Sequence, residues 1–174
     1  DTPAGLVTAN VETGEDGTAG SVTFENVPSF VYETGCTVDV PDLGTIEYDL
    51  AFGGAFYAYC DAEDLSVGVE PGSVEELIRV GRAVKQRVRE TRDITHPEED
   101  DLGFLYGTII CEDADAPGVD SRNVCIFADG EVDRSPTGTG VSGRVALRGA
   151  SGDLGPGEEF VVESIVGSTF TGSF

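Results

Sequence analysis

The sequence predicts an α+β domain in which a curled, mostly antiparallel sheet wraps around a helix. Three observations carry that reading. Short runs rich in β-branched and aromatic residues recur along the 174 residues, each bounded by glycine, proline or acidic turn residues. One stretch beginning at Ser73 changes to helical period. A glycine-rich segment at Gly138–Gly140 then opens a second, shorter helix. The chain is long enough for one domain with its own core, and a single domain spanning 1–174 is expected.

Leu6–Glu12 and Ser21–Val27 flank the Gly/Glu/Asp-rich turn Thr13–Gly20 and read as a hairpin with a loose loop. Val38–Val40, Thr45–Leu50 and Ala55–Cys60 follow, divided by Pro41–Gly44 and by the Gly53-Gly54 pair. From Ser73, the apolar positions Val74, Leu77, Ile78, Val84 and Val88 recur at helical spacing. Ser73 with Glu76 three residues on reads as a capping box, and Glu75, Glu76, Arg87, Arg89 and Arg92 complement the helix dipole. A helix over Val74–Thr91, one face on a sheet, is therefore predicted. The segment from His96 to Asp101 reads as a solvated loop. Strands resume at Gly103–Cys111 and Asn123–Ala128, Asp129-Gly130 is a turn, and Glu131–Asp133 opens the next segment. Phe160–Val166 and Thr169–Phe174 close the chain as strands.

Composition removes several function classes. Asp and Glu number 33 against 10 Lys plus Arg, a formal net charge of −23. Polyanionic partners select basic faces, so nucleic acid and anionic membrane are excluded as partners. No apolar run approaches the roughly 20 residues needed to cross a bilayer. Lys85 is the only lysine, and the acids are spread along the whole chain, which reads as a halophilic surface rather than a docking patch. Cys36, Cys60, Cys111 and Cys125 form no CxxC pair and His96 is the only histidine, so no metal site is expected. The four cysteines read as buried and reduced, in keeping with a cytoplasmic location. Asp113-Ala114-Asp115 with Gly118 and Asp120 has the look of a calcium loop, but Val124 stands where the bidentate acid is required. The chain contains no Met and opens DTPAGLV, so a processed, truncated or excised domain is expected.

The segment from Asp133 to Leu147 concentrates the chemistry. It reads as a strand end, a proline-stiffened turn and a glycine-rich entry into a helix over Thr139–Leu147. The first amides of a helix lack partners and carry partial positive charge, so the Gly138–Gly140 amides can hold a carboxylate or phosphate. It is not a phosphate loop, because no lysine follows the glycines. Phe56 and Tyr57, following the double glycine, read either as pocket lining or as core.

Asp133-Arg134-Ser135-Pro136-Thr137-Gly138-Thr139-Gly140 resembles the second active-site signature of the proline racemase family. Asp1–Val7, Asn26–Phe30, Ala51–Ala58 and Glu163–Phe170 resemble that family in the same order, over essentially the whole chain. The resemblance implies a diaminopimelate-epimerase-like domain, a β-barrel-like sheet around a central helix, with Thr139–Leu147 as that helix. It implies a two-domain enzyme that needs no cofactor and acts at Cα of proline-type imino acids. Asp133 would bind the ring amine, the Gly138 and Thr139 amides would bind the carboxylate, and Thr137 would be the catalytic-site residue facing the ring. Racemases and epimerases of the family carry Cys at the position of Thr137; a threonine hydroxyl ionises too high for proton transfer at Cα. Thr137 resembles the trans-3-hydroxy-L-proline dehydratase branch, with proline racemase or hydroxyproline epimerase as the alternative. The family's Cys-Gly-His signature is absent from the chain, so the expected partner is a missing first domain of the same enzyme. A stand-alone binding fragment, without activity, is the third expectation, and a homodimer is an option for assembly.

Overall fold

Ten strands and two helices make up the computed structural model, which describes residues 1–174. In order they are β1 (Thr8–Thr13), β2 (Ala19–Glu25), β3 (Phe30–Val40), β4 (Gly44–Phe52), β5 (Phe56–Asp61), α1 (Val74–Thr91), β6 (Leu105–Asp113), β7 (Ser121–Phe127), β8 (Glu131–Asp133), α2 (Gly138–Ser151), β9 (Phe160–Ser164) and β10 (Thr169–Gly172). β1 and β2 form a separate hairpin. The other eight strands form one sheet in the order β10-β9-β7-β6-β5-β4-β3, with β8 also paired to β7. Only β5/β6 and β7/β9 are parallel. The path ends at β3 and β10, which do not pair with each other, so the sheet does not close and the expected barrel is an open sheet.

Each parallel pair needs a crossover, and each helix supplies one: α1 between β5 and β6, α2 between β7 and β9. β6 and β7 run antiparallel, so strand direction reverses between the two units. Crossovers of one hand then put the helices on opposite faces, and the packing follows. Phe56, Ala58, Cys60, Ile110, Val124 and Ile126 join Leu77, Val80, Val84 and Val88 of α1 in the larger core. Ala51, Tyr57, Tyr59, Ile109 and Cys125 point the other way, toward Leu147 of α2.

The helix at the centre of the main core is therefore α1, not the expected Thr139–Leu147. The cause lies in the side chains: α1 presents a stripe of branched aliphatic residues, whereas α2 presents glycines. A β-carbon at Gly140 would collide with Ile109, and one at Gly143 with the Tyr59 hydroxyl. α2 thus lies close on its face of the sheet, and the Tyr59 hydroxyl donates to the Gly140 carbonyl at 3.0 Å.

One local expectation is corrected. α1 has the predicted limits, but its capping box does not form. A 3-10 turn over Pro71–Ser73 leads into the helix and leaves Ser73 at φ −97°, ψ 6°. Ser73 Oγ donates to Glu70 instead (3.3 Å), and Glu76 is held by Arg79. The segment from His96 to Asp101 is the expected loop, exposed from Pro97 to Asp101, while the half-buried His96 ring packs on Phe52 with centroids 4.7 Å apart and on Phe30 at 5.8 Å. Its Nδ1 accepts the amides of Glu98 and Glu99.

Candidate active site

β8 is three residues long and pairs only with β7, and Asp133 stands at its end opposite Cys125. The turn that follows is tied down from several sides. Asn123, buried on β7, donates Nδ2 to the Pro136 carbonyl at 3.0 Å. Asp133 accepts the Ser135 amide on Oδ1 (2.8 Å) and the Thr137 hydroxyl on Oδ2 (2.9 Å). The Thr137 amide donates to Ser135 Oγ at 3.1 Å. Thr137 sits at φ +65° and is only 6 % exposed. A β-branched residue in that region costs about 1–3 kcal/mol, a strain the surrounding bonds must hold.

α2 starts one residue earlier than expected, at Gly138. Val141 is the first of its amides to find an acceptor, the Thr137 carbonyl at 2.8 Å. The amides of Gly138, Thr139 and Gly140 carry no protein acceptor, and Gly138 and Thr139 are half-exposed. The four residues expected from the sequence, Asp133, Thr137, Gly138 and Thr139, are thus brought together at one helix start, with open donors beside a carboxylate.

The sequence reading missed the groups that position this turn. Gly53 and Gly54, between β4 and β5, abut it: a β-carbon at Gly53 would lie 2.6 Å from the Gly143 nitrogen and closer still to the Thr139 carbonyl. Asn26 clamps the same contact, donating to the Gly53 carbonyl (2.8 Å) and to Ser142 Oγ (2.9 Å). Phe24 on β2 and Phe170 on β10 flank Gly138, the Phe24 ring end 3.0 Å and the Phe170 ring edge 3.7 Å from where a β-carbon would sit. Both rings are partly exposed, at 41 % and 36 %. Asn26, Gly53 and Phe170 fall in motifs that carried the resemblance; Phe24 gave no signal. Phe56 lies in the main core, whereas the Tyr57 hydroxyl hydrogen-bonds Thr139 Oγ1 at 2.7 Å.

Burial pushes the Tyr57 hydroxyl far up, so it stays protonated beside Thr139. Burial, and then the nearby Asp133 charge, push the Cys125 thiol up to about 12. Cys36, Cys60 and Cys111 are also raised by burial, and all four cysteines are free. None of these thiols is positioned to act as a base at neutral pH. A separate cavity of about 270 Å³ lies elsewhere, lined by Tyr59, Cys111, Arg144 and Arg148 among others. It is not the site of the open amides.

The proline racemase family pattern matches residues 1–174. The chain belongs to the proline racemase family. A trans-3-hydroxy-L-proline dehydratase of Colwellia psychrerythraea is 48 % identical over 150 residues, 86 % of this chain and 42 % of that protein. A 3-hydroxyproline 2-epimerase of Burkholderia multivorans is 44 % identical over 173 residues, 99 % of this chain and 51 % of that protein. A hydroxyproline epimerase from Agrobacterium vitis, solved with bound trans-4-hydroxy-L-proline, matches with a TM-score of 0.90 at 36 % identity. That match covers 97 % of this chain and 48 % of the epimerase. The chain spans about half the length of the curated relatives it matches. No helix is long and apolar enough to cross a membrane.

Proposed function

We propose that this chain is one half of a two-domain, cofactor-independent enzyme acting at Cα of proline-type imino acids, with dehydration of trans-3-hydroxy-L-proline as its reaction. The observation that carries the reading is the pair of unpartnered amides at Gly138 and Thr139 beside the Asp133 carboxylate, with threonine rather than cysteine at 137. An imino acid presents a carboxylate and a cationic ring nitrogen. The amides at the α2 start complement the first, where unsatisfied donors and the helix dipole favour negative charge. Asp133 complements the second. The Thr137 hydroxyl, bonded to Asp133, orients that carboxylate.

Removal of the Cα proton puts negative charge onto the substrate carboxylate, so donors already aimed there stabilise the transition state more than the ground state. The base is a cysteine of the other half. Loss of the proton from Cα and of hydroxide from C3, leaving as water once protonated, forms the ring C=C bond. The resulting enamine tautomerises to a cyclic imine, a pyrroline-2-carboxylate. A racemase or epimerase must return a proton from the opposite face, and Thr137 has no accessible ionisation for that task.

The acidic, lysine-poor surface supports a halophilic setting, and four free thiols, three of them buried, are in keeping with a reducing cytoplasm. The test is turnover by the full-length parent protein. Trans-3-hydroxy-L-proline should yield pyrroline-2-carboxylate. Epimerisation of 4-hydroxyproline alone would move the enzyme to the isomerase branch. The isolated 174-residue chain, lacking the base, should turn over neither substrate.

A further inference from the structure

The β1–β2 hairpin stands apart from the main sheet, and every residue of its two strands is exposed. Its register pairs Ala9 with Phe24 and Val11 with Val22. Because side chains alternate along a strand, these four residues share one face, while Thr8, Asn10, Thr23 and Glu25 share the other. Val11, Val22 and Phe24 are 52 %, 57 % and 41 % exposed, and Leu6, just before the hairpin, is 69 % exposed. A lone two-stranded ribbon is marginal in water. An uncovered apolar row on a chain of net charge −23 marks an interaction surface rather than a solvated one. The row also runs into the site, since Phe24 meets Gly138 at the start of α2.

We propose that this apolar face docks the remaining half of the parent protein and seats it over the α2 amides. The inference rests on the reading of the chain as half of a two-domain enzyme. Two observations select that occupant. The relatives carry about as much chain again as the part matched here, enough for a second domain of this size. The apolar row is continuous with a site of open anion donors, through the Phe24–Gly138 contact, so what covers the row is placed to complete the site. Val11 and Val22 are then core residues of an interface, and the hairpin is the arm that sets how the two halves meet.

Hydrogen exchange of the β1 and β2 amides, measured in the 174-residue chain and in the full-length parent, tests this. The hairpin should exchange about 10-fold or more slowly in the parent. The double substitution Val11→Asp/Val22→Asp in the parent should remove that protection, and the milder Val11→Thr/Val22→Thr should reduce it while near-ultraviolet dichroism stays native. Equal exchange in the chain and the parent overturns the proposal. Sedimentation of the isolated chain should show a monomer; a dimer with a protected hairpin overturns it in favour of a second copy. A protected hairpin in a parent that leaves trans-3-hydroxy-L-proline untouched upholds the docking surface while the functional reading falls. Turnover with an unprotected hairpin does the reverse.

Discussion

Gly53 lies directly against the Thr139 carbonyl, so close that any β-carbon at position 53 would overlap it. The β4–β5 turn and the first turn of α2 therefore meet backbone to backbone, with Asn26 bridging them. Gly53→Ala should cost about 3 kcal/mol or prevent folding, because neither wall of the contact is a flexible side chain. Chemical denaturation of the chain checks this. Gly118→Ala, where nothing lies within 4 Å, is the comparison that isolates backbone strain from collision.

In the proposed reaction, Thr137 acts through its bond to Asp133. Thr137→Val removes the hydroxyl and keeps the shape, leaving Asp133 with one fewer donor. A lost bond of about 1.4 kcal/mol corresponds to a tenfold fall in kcat/KM of the parent on trans-3-hydroxy-L-proline. Thr137→Ser should restore most of it. Steady-state kinetics of the two variants separate the hydroxyl's contribution from packing.

The alkaline limit of stability follows from the buried acids. Folding raises Cys125 to about 12 and raises Cys36, Cys60, Cys111, Tyr48, Tyr57 and Tyr59 as well. A group raised in the fold stabilises it fully below its unfolded pKa. That contribution is lost as the pH climbs toward the folded value. Tm should hold up to about pH 8.5 and fall steeply between about pH 9 and 12. Thiol alkylation at pH 8 should track global unfolding at Cys60 and Cys125.

Charge sets the salt response. At −23, self-repulsion is screened as the Debye length falls from about 10 Å at 0.1 M to about 3 Å at 1 M. Tm of the isolated chain should rise by several degrees over that range. A flat profile would remove the halophilic reading of the surface.

Much of the fold was legible because period and punctuation are local. α1 was predicted at its observed limits because Leu77, Val84 and Val88 mark a helical stripe that no glycine pair or proline interrupts. β3 was seen only at its end, Val38–Val40; Gly35, at φ +64°, and the register shift between Glu33 and Cys36 break the alternation before it. α2 runs four residues beyond the predicted Leu147, to Ser151, because Arg148-Gly149-Ala150-Ser151 carries no apolar period. It stops where Gly152 takes the left-handed conformation. Which helix occupies the main core was not legible, since that depends on strand direction across the sheet. At the site, Asp133 to Thr139 are contiguous and could be read together. Phe24 and Asn26, Gly53, and Phe170 come from three distant places in the chain, and only the fold brings them to α2.

In the proposed reaction, the start of α2 and Asp133 together hold the imino acid. Titrating isotopically labelled parent protein with trans-3-hydroxy-L-proline, and following its amide resonances, tests that claim at the atoms concerned. The Gly138 and Thr139 amides should show the largest shifts, saturating together, and Asp133→Asn should abolish both. Saturable shifts confined to other residues, with Gly138 and Thr139 unmoved, would contradict it.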